Sequence, residues 1–240
     1  MPQTLITDPL KDPLGQAVLD YQLGIRGEEI RVYSDMAEDD IIPVGHLFRS
    51  WGDMPAWEQT ALNTCEGKVL DIGAGAGTHS YILQLMGLEV TAIDISPGAV
   101  EVMKQRRIKH ACHQDFFTME PAAYQTLLLM MNGVGMVGTI AGLSTFLERA
   151  KDFLTQNGQI ILDSSDLIYL FEDEEEALAQ EKYYGEVTYS MEYREAKGDS
   201  FDWLFLDAET LMEFSQMHGF KCSILYEGPH YEYLAKLSLT

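Results

Sequence analysis

Positive charge is scarce in this 240-residue chain: 16 lysines and arginines stand against 38 aspartates and glutamates, a formal net charge of −22. Nucleic acids and anionic membranes attract proteins through Lys and Arg, so binding to either is not expected. The one basic group, Lys104, Arg106, Arg107 and Lys109, reads as a solvated helix end. Cysteine is scarce too. Cys65, Cys112 and Cys222 lie far apart and match neither a zinc spacing nor a C-x-x-C pair. Their odd, sparse number fits a reducing compartment. The six histidines show no H-E-x-x-H or similar spacing, so no metal site is expected. There is also no G-x-S-x-G elbow for a serine hydrolase. Long apolar runs are missing: the longest, Leu127 to Met131, is a buried strand's length, against the roughly 18 residues of a membrane span. Met1 to Leu5 carries no basic region followed by an apolar core, so no secretory signal is expected. A cytoplasmic location is the expectation.

What is present is an ordinary globular composition, 46% hydrophobic and 22% charged. A chain of this length buries about 70% of its surface without disulfides, which suits a single α/β domain over 1–240. Its middle alternates in a regular way. Strands are expected at Lys68–Ile72, Glu89–Asp94, Lys109–His113, Thr126–Met131 and Gln159–Asp163. Helices are expected at Thr78–Met86, Pro97–Arg106 and Leu143–Leu154, with Ser96 capping the second and Asn157-Gly158 stopping the third. Continuous apolar strands separated by helices indicate a parallel sheet covered on both faces. The last third differs. Glu186–Arg194 and Phe201–Leu206 form a hairpin inserted over 183–206. A helix at Ala208–His218 and strands at Lys221–Tyr226 and Tyr231–Leu239 follow. Residues 1–66 read as a cap over the ligand-binding edge, with helices at Leu14–Leu23 and Met54–Cys65. Glu29–Ser34 fits strand or helix.

The most informative segment is Asp71-Ile72-Gly73-Ala74-Gly75-Ala76-Gly77-Thr78. A strand enters Gly-x-Gly-x-Gly and leaves as a helix. Glycine is needed where the chain turns sharply and a ligand nears the backbone, and the helix start offers N–H groups to an anionic part. Asp94 closes the next strand, 21 positions after Gly73, where a carboxylate can take both ribose hydroxyls. Together these point to a nucleoside-bearing ligand. A dinucleotide loop prefers glycine at the sixth position, and here Thr78 occupies it.

At these residues the sequence resembles the class I S-adenosylmethionine-dependent methyltransferases. Asp71–Gly77 is similar to their first motif, and Ile93-Asp94-Ile95-Ser96 to their second. The resemblance covers 67–163. It implies a Rossmann-like, doubly wound seven-stranded sheet, mostly parallel with an antiparallel last strand, with the cap, the inserted hairpin and the final helix and strands (207–240) attached. The implied cofactor is S-adenosyl-L-methionine, with S-adenosyl-L-homocysteine as product. By the same resemblance Asp71 orients the loop and nears the methionine end, and Gly73, Gly75 and Gly77 belong to the cofactor loop. Asp94 takes the ribose, Ile95 packs on adenine, Asp115 accepts from the adenine amino group, and Phe116 contributes backbone or stacking. Asn132 sits near the methyl group and substrate.

A second glycine segment, Gly133-Val134-Gly135-Met136-Val137-Gly138, also follows a strand. The next strand-end acid, Asp163, lies 30 positions past Gly133, beyond the usual spacing of about 20. This stretch therefore reads as the substrate-side loop. The cofactor carries the hard chemistry, and a base is needed only for a protonated nucleophile. Asn132, Asp163, His79 and Tyr21 are the catalytic candidates. Arg49 either binds the cofactor's carboxylate or bridges cap and core. Ser164 and Asp166 either face the site or cap the following turn. Glu172–Glu176 reads as a solvated helix start. The aromatic hairpin fits a substrate cover or a dimer surface equally, so monomer and homodimer stay open. The expected function is methyl transfer to a small-molecule acceptor by in-line displacement. A non-catalytic S-adenosylmethionine-binding module and a nicotinamide-dependent oxidoreductase are the alternatives.

Overall fold

The computed structural model describes residues 4–27 and 29–240. Asp12 starts α1 (Pro13–Gln22): its carboxylate accepts from the Gly15 N–H at 2.8 Å, and Pro13 supplies a pre-set first residue. β1 (Glu29–Ser34) is a strand because its burial alternates, Ile30 and Val32 inward, Glu29 and Arg31 outward. It pairs antiparallel with β2 (Asp40–Pro43). After α2 (Ala56–Thr64) the chain alternates as read: β3 (Lys68–Ile72), α3 (Thr78–Leu85), β4 (Glu89–Asp94), α4 (Pro97–Gln105), β5 (His110–His113), β6 (Tyr124–Leu129), α5 (Ile140–Phe153) and β7 (Leu154–Ser165). A short α6 (Glu174–Leu178), capped by Asp173, precedes β8 (Glu186–Tyr193), β9 (Ala196–Lys197) and β10 (Phe201–Leu204). α7 (Ala208–Met217), β11 (Phe220–Glu227) and β12 (Glu232–Leu239) complete the chain.

Among the described residues the main sheet has seven strands in the order β11-β12-β7-β6-β3-β4-β5. β3 to β7 are parallel, and β12 runs antiparallel between β7 and β11. The chain winds outward from β3 to β4 and β5, then returns to β6 on the other side of β3. Open α/β sheets bind ligands at the strand ends where the order reverses in this way. Both faces of the central strands are buried. Leu70, Leu127 and Ile160 pack toward Phe146 and Phe153 of α5, and Val69, Leu128 and Ile161 toward Leu62 and Leu83. This two-sided burial explains the unbroken apolar runs. Truncating Phe146 or Phe153 to Ala is worth about 3–5 kcal/mol.

α5 ends earlier than Asn157-Gly158 suggests. Leu154 is already extended and pairs with Tyr124, so β7 begins there and Asn157-Gly158 lies within it. A larger difference concerns the cap. It contains the helices α1 and α2, but β1 and β2 join the inserted hairpin in a second sheet, β10-β8-β1-β2, with β9 beside β8. β1 and β8 pair through Val32 and Met191, and β8 and β10 through Val187 and Trp203.

Asp12 fastens this cap to the main sheet. Its second oxygen accepts from Ser96 Oγ at 2.8 Å and the Gly98 N–H at 3.1 Å, so one buried carboxylate caps α1 and α4 together. The two helices touch backbone to backbone: a Cβ on Gly98 would lie 2.6 Å from Gly15 atoms. The Ile6 N–H also bonds the Ile95 carbonyl at 3.0 Å.

Candidate active site

The glycine loop leaves β3 at the reversal point. Gly73 and Ala74 both donate to the Ile93 carbonyl at 3.0 Å, which ties the loop to β4. Gly73 and Gly75 have φ of 71° and 55°, and a Cβ on either would meet nothing within 4 Å. Their backbone is bare toward open space, as a loop that receives a ligand requires. Gly77 is a glycine for another reason. Its φ is 73°, and a Cβ would lie 2.8 Å from Met103 Cγ, so its missing side chain serves the packing of α3 against α4.

Asp94 ends β4 with its carboxylate buried. One oxygen accepts from the Gly75 N–H and the other from the Ser96 N–H, both at 2.8 Å. Burial pushes its pKa up to about 6 in spite of these two bonds. Asp71 is buried beneath the loop and accepts from Ser80 Oγ at 2.6 Å, which pins β3 to α3. Burial raises its pKa too, opposed by His79 and Ser80. Asp115 uses one oxygen to accept the Phe117 N–H at 2.9 Å, and among the described residues the other oxygen accepts no bond. Phe116 cannot stack on a ligand: its ring is buried against Phe146 and Phe153, at centroid distances of 5.3 and 4.8 Å. Only its backbone can serve. Ile95 is half-buried beside the loop.

Beyond β6, Met131 and Asn132 both take left-handed backbone, φ 63° and 54°. Asp163, at the end of β7, holds this turn. Its two oxygens accept the N–H groups of Asn132 at 2.9 Å and Met131 at 3.2 Å. Burial drives its pKa up to about 7, against those bonds. So placed, Asp163 supports the turn. The Asn132 side chain accepts from Ser164 Oγ at 2.7 Å and donates to the Leu204 carbonyl at 3.2 Å, tying the inserted hairpin to the sheet edge. Asp166 accepts from the Ile168 N–H and from Tyr184 Oη, the capping role considered for it. The second glycine segment forms a tight helical turn, Gly133–Val137. A Cβ on Gly135 would lie 2.0 Å from Trp203 Nε1, so glycine there admits the indole from β10.

Three other candidates lie elsewhere. Arg49 is buried, and its guanidinium fork bonds Glu58 at 2.6 and 3.0 Å. Its remaining bonds reach the His46 carbonyl at 2.7 Å and Met131 Sδ at 3.5 Å. The bridging reading describes what it touches. His79 is buried against the same Glu58 at 3.1 Å. Tyr21 stacks on Phe48 at 4.5 Å and carries the Arg26 guanidinium 3.8 Å from its ring centroid. Neither His79 nor Tyr21 lines the cavity described next. Glu58, eight residues along from Ser50 in an unremarkable helical segment, carried no local sign of this pairing.

Between the second sheet and the edge of the first lies a cavity of about 650 Å³. Met131 and Asn132 line it from the main sheet, Tyr189, Phe201 and Trp203 from the hairpin, and Val32 from β1.

This strand order, with a bare glycine loop after β3 and an acid closing β4, defines a Rossmann-like nucleoside-binding fold. A family described as "Methyltransferase domain" matches residues 64–209, more than half of the chain. An S-adenosylmethionine-dependent methyltransferase from Bacteroides fragilis, solved with S-adenosyl-L-homocysteine, is 43% identical. The match covers 98% of each chain with a TM-score of 0.91. The chain belongs to the S-adenosylmethionine-dependent methyltransferases. Two more distant structures share the fold alone. The CcbJ methyltransferase of Streptomyces caelestis is 10% identical over 78% of this chain and 97% of its own, TM-score 0.60. The 1,6-didemethyltoxoflavin-N1-methyltransferase of Burkholderia thailandensis is 17% identical over 79% and 80%, TM-score 0.51. No curated protein matches the sequence. Among the described residues no helix is long and apolar enough to cross a membrane.

Proposed function

We propose that the chain transfers the methyl group of S-adenosylmethionine directly, in line, to a small-molecule acceptor held between its two sheets. The observation that carries this reading is the cavity of about 650 Å³, within the range of small-molecule sites, with Met131 and Asn132 on its wall. The cofactor supplies a methyl group already made electrophilic by its sulfonium. The protein's task is therefore to hold, align and exclude water.

The residues fit that task. Asp94 receives the ribose hydroxyls: each oxygen accepts one backbone N–H and keeps a lone pair for a hydroxyl. The bare backbone at Gly73 and Gly75 accommodates the rest of the nucleoside's close approach, and Ile95 packs on the adenine. The free oxygen of Asp115 and the backbone of Phe116 take the adenine edge. Asp163 holds the Met131–Asn132 turn in place, and the second sheet keeps water out.

Calorimetric titration with S-adenosylmethionine, S-adenosylhomocysteine and NAD, on wild type and Asp94→Ala, tests the cofactor side. Both sulfur ligands should bind wild type, NAD should not, and the variant should lose binding. Formation of S-adenosylhomocysteine across a panel of small amines, phenols and carboxylic acids tests the acceptor side. Methylation of proteins with none of small molecules would refute the proposal.

A further inference from the structure

The cavity walls state more than size. Four rings form a connected surface, with centroids of Tyr189 and Phe201 6.3 Å apart, Phe201 and Trp203 5.9 Å, and Tyr189 and Phe205 6.2 Å. Met36, Met131 and Met191 add polarizable thioethers that adapt to a bound shape. Among the described residues that line the cavity there is no lysine, arginine or histidine. Arg49 touches Met131, but its charge is already paired with Glu58.

An anion entering this space would lose its hydration and meet no cationic partner, which is strongly unfavourable. It would also pass three carboxylates, because the connection from β1 to β2 places exposed Glu38, Asp39 and Asp40 along the lining. Burial, with Tyr169, Asp40 and Asp35 adding to it, pushes the Tyr189 hydroxyl pKa up to about 12. Lys182 is paired with Asp35 at 3.5 Å. A cation meets the opposite situation. Ring faces attract it at the wall, and the field at the rim has the right sign.

We propose that the acceptor is a flat, apolar molecule carrying a basic nitrogen, and that the aromatic cavity discriminates against carboxylates and phosphates of the same size. This rests on the small-molecule reading above and narrows it.

Three probes with one ring system decide the matter: tryptamine, 3-ethylindole and indole-3-propionate. Each is titrated calorimetrically into the protein with and without saturating S-adenosylhomocysteine. Tryptamine should bind at least about tenfold more tightly than indole-3-propionate, as one favourable cation–ring contact implies, with 3-ethylindole between. In the combined variant Glu38→Gln, Asp39→Asn, Asp40→Asn that gap should narrow several-fold, with circular dichroism melting as the folding control. Equal binding of the acid and the amine would overturn the proposal, as would binding of none of the three. Failure of S-adenosylhomocysteine to bind, with tryptamine still preferred, would overturn the methyl-transfer reading and leave the ligand class standing.

Discussion

Glu58→Gln is the sharpest test of how the cap is locked onto the cofactor half. Glu58 and Arg49 are 4% and 7% exposed and share a two-pronged contact at 2.6 and 3.0 Å. His79 Nε2 approaches the same carboxylate at 3.1 Å. Burial opposes ionisation of Glu58, yet the His79 and Arg49 interactions outweigh it and its pKa falls below the ordinary carboxylate value. Glutamine keeps the shape, removes the charge and turns an amide N–H₂ toward groups that are themselves donors. The buried guanidinium is then left without its counter-charge. Breaking one side of such a pair costs about 3–5 kcal/mol. For a chain of this size that lowers Tm by roughly 10 °C. Urea unfolding at pH 7 measures it, beside the double variant Arg49→Met, Glu58→Leu. An apolar pair of similar volume should recover most of the loss, since well-packed hydrophobic replacements of buried ion pairs are often neutral or stabilising. Because the folded pKa is depressed, Glu58's contribution is present above its unfolded value of 4.5 and is lost as pH falls through the folded value. Variant and wild type should therefore converge in acid. A loss below about 1 kcal/mol at pH 7 would refute the reasoning.

Asp163 and Asp94 have the opposite sign. Both pKa values are raised from 3.8, to about 7 and about 6, so stability from these groups is complete below pH 3.8 and is lost as pH climbs to those values. Asp163→Asn should flatten the decline between pH 4 and 7 by up to about 1.4 kcal/mol per pH unit, read by urea unfolding at stepped pH; an unchanged slope would contradict the burial argument. Gly135→Ala places a methyl where the Trp203 indole sits. It should raise KM for the acceptor about tenfold or more while S-adenosylhomocysteine affinity holds, and equal loss of both would show that the turn also shapes the cofactor side. Among the described residues Ser215 Oγ is buried with no hydrogen-bond partner, so Ser215→Ala should stabilise by about 1 kcal/mol, seen as a higher urea midpoint at unchanged m.

The local signals carried the cofactor half. Val69 to Ile72, and Val90, Ala92 and Ile93, are buried, and these strands read as largely apolar runs. Gly73 and Gly75 adopt the positive φ that their residue type permits. Asp94 lies at a strand end, where spacing along the chain converts directly into place. Phe116 was only half legible, because a ring beside a strand end can turn toward ligand or core, and the space between Phe146 and Phe153 decided it. Arg49 was legible only as two alternatives.

The acceptor half could not be read that way. Alternation in Glu186–Tyr193 announces a strand with one apolar face, and Glu29–Ser34 fits strand or helix, but many edges could accept either. Docking of Val32 beside Met191 chose one. The pairing of Arg49 with Glu58, and the seat of Trp203 on Gly135, join residues whose separation in sequence carries no period. The sequence by itself determined the elements of the alternating middle, their buried faces and the glycine-and-acid frame of the candidate cofactor site, because those follow from backbone preference and short-range spacing. Tertiary structure alone decided that β1, β2 and the inserted hairpin close over one aromatic cavity, because long-range partners are selected by which surfaces can be buried together.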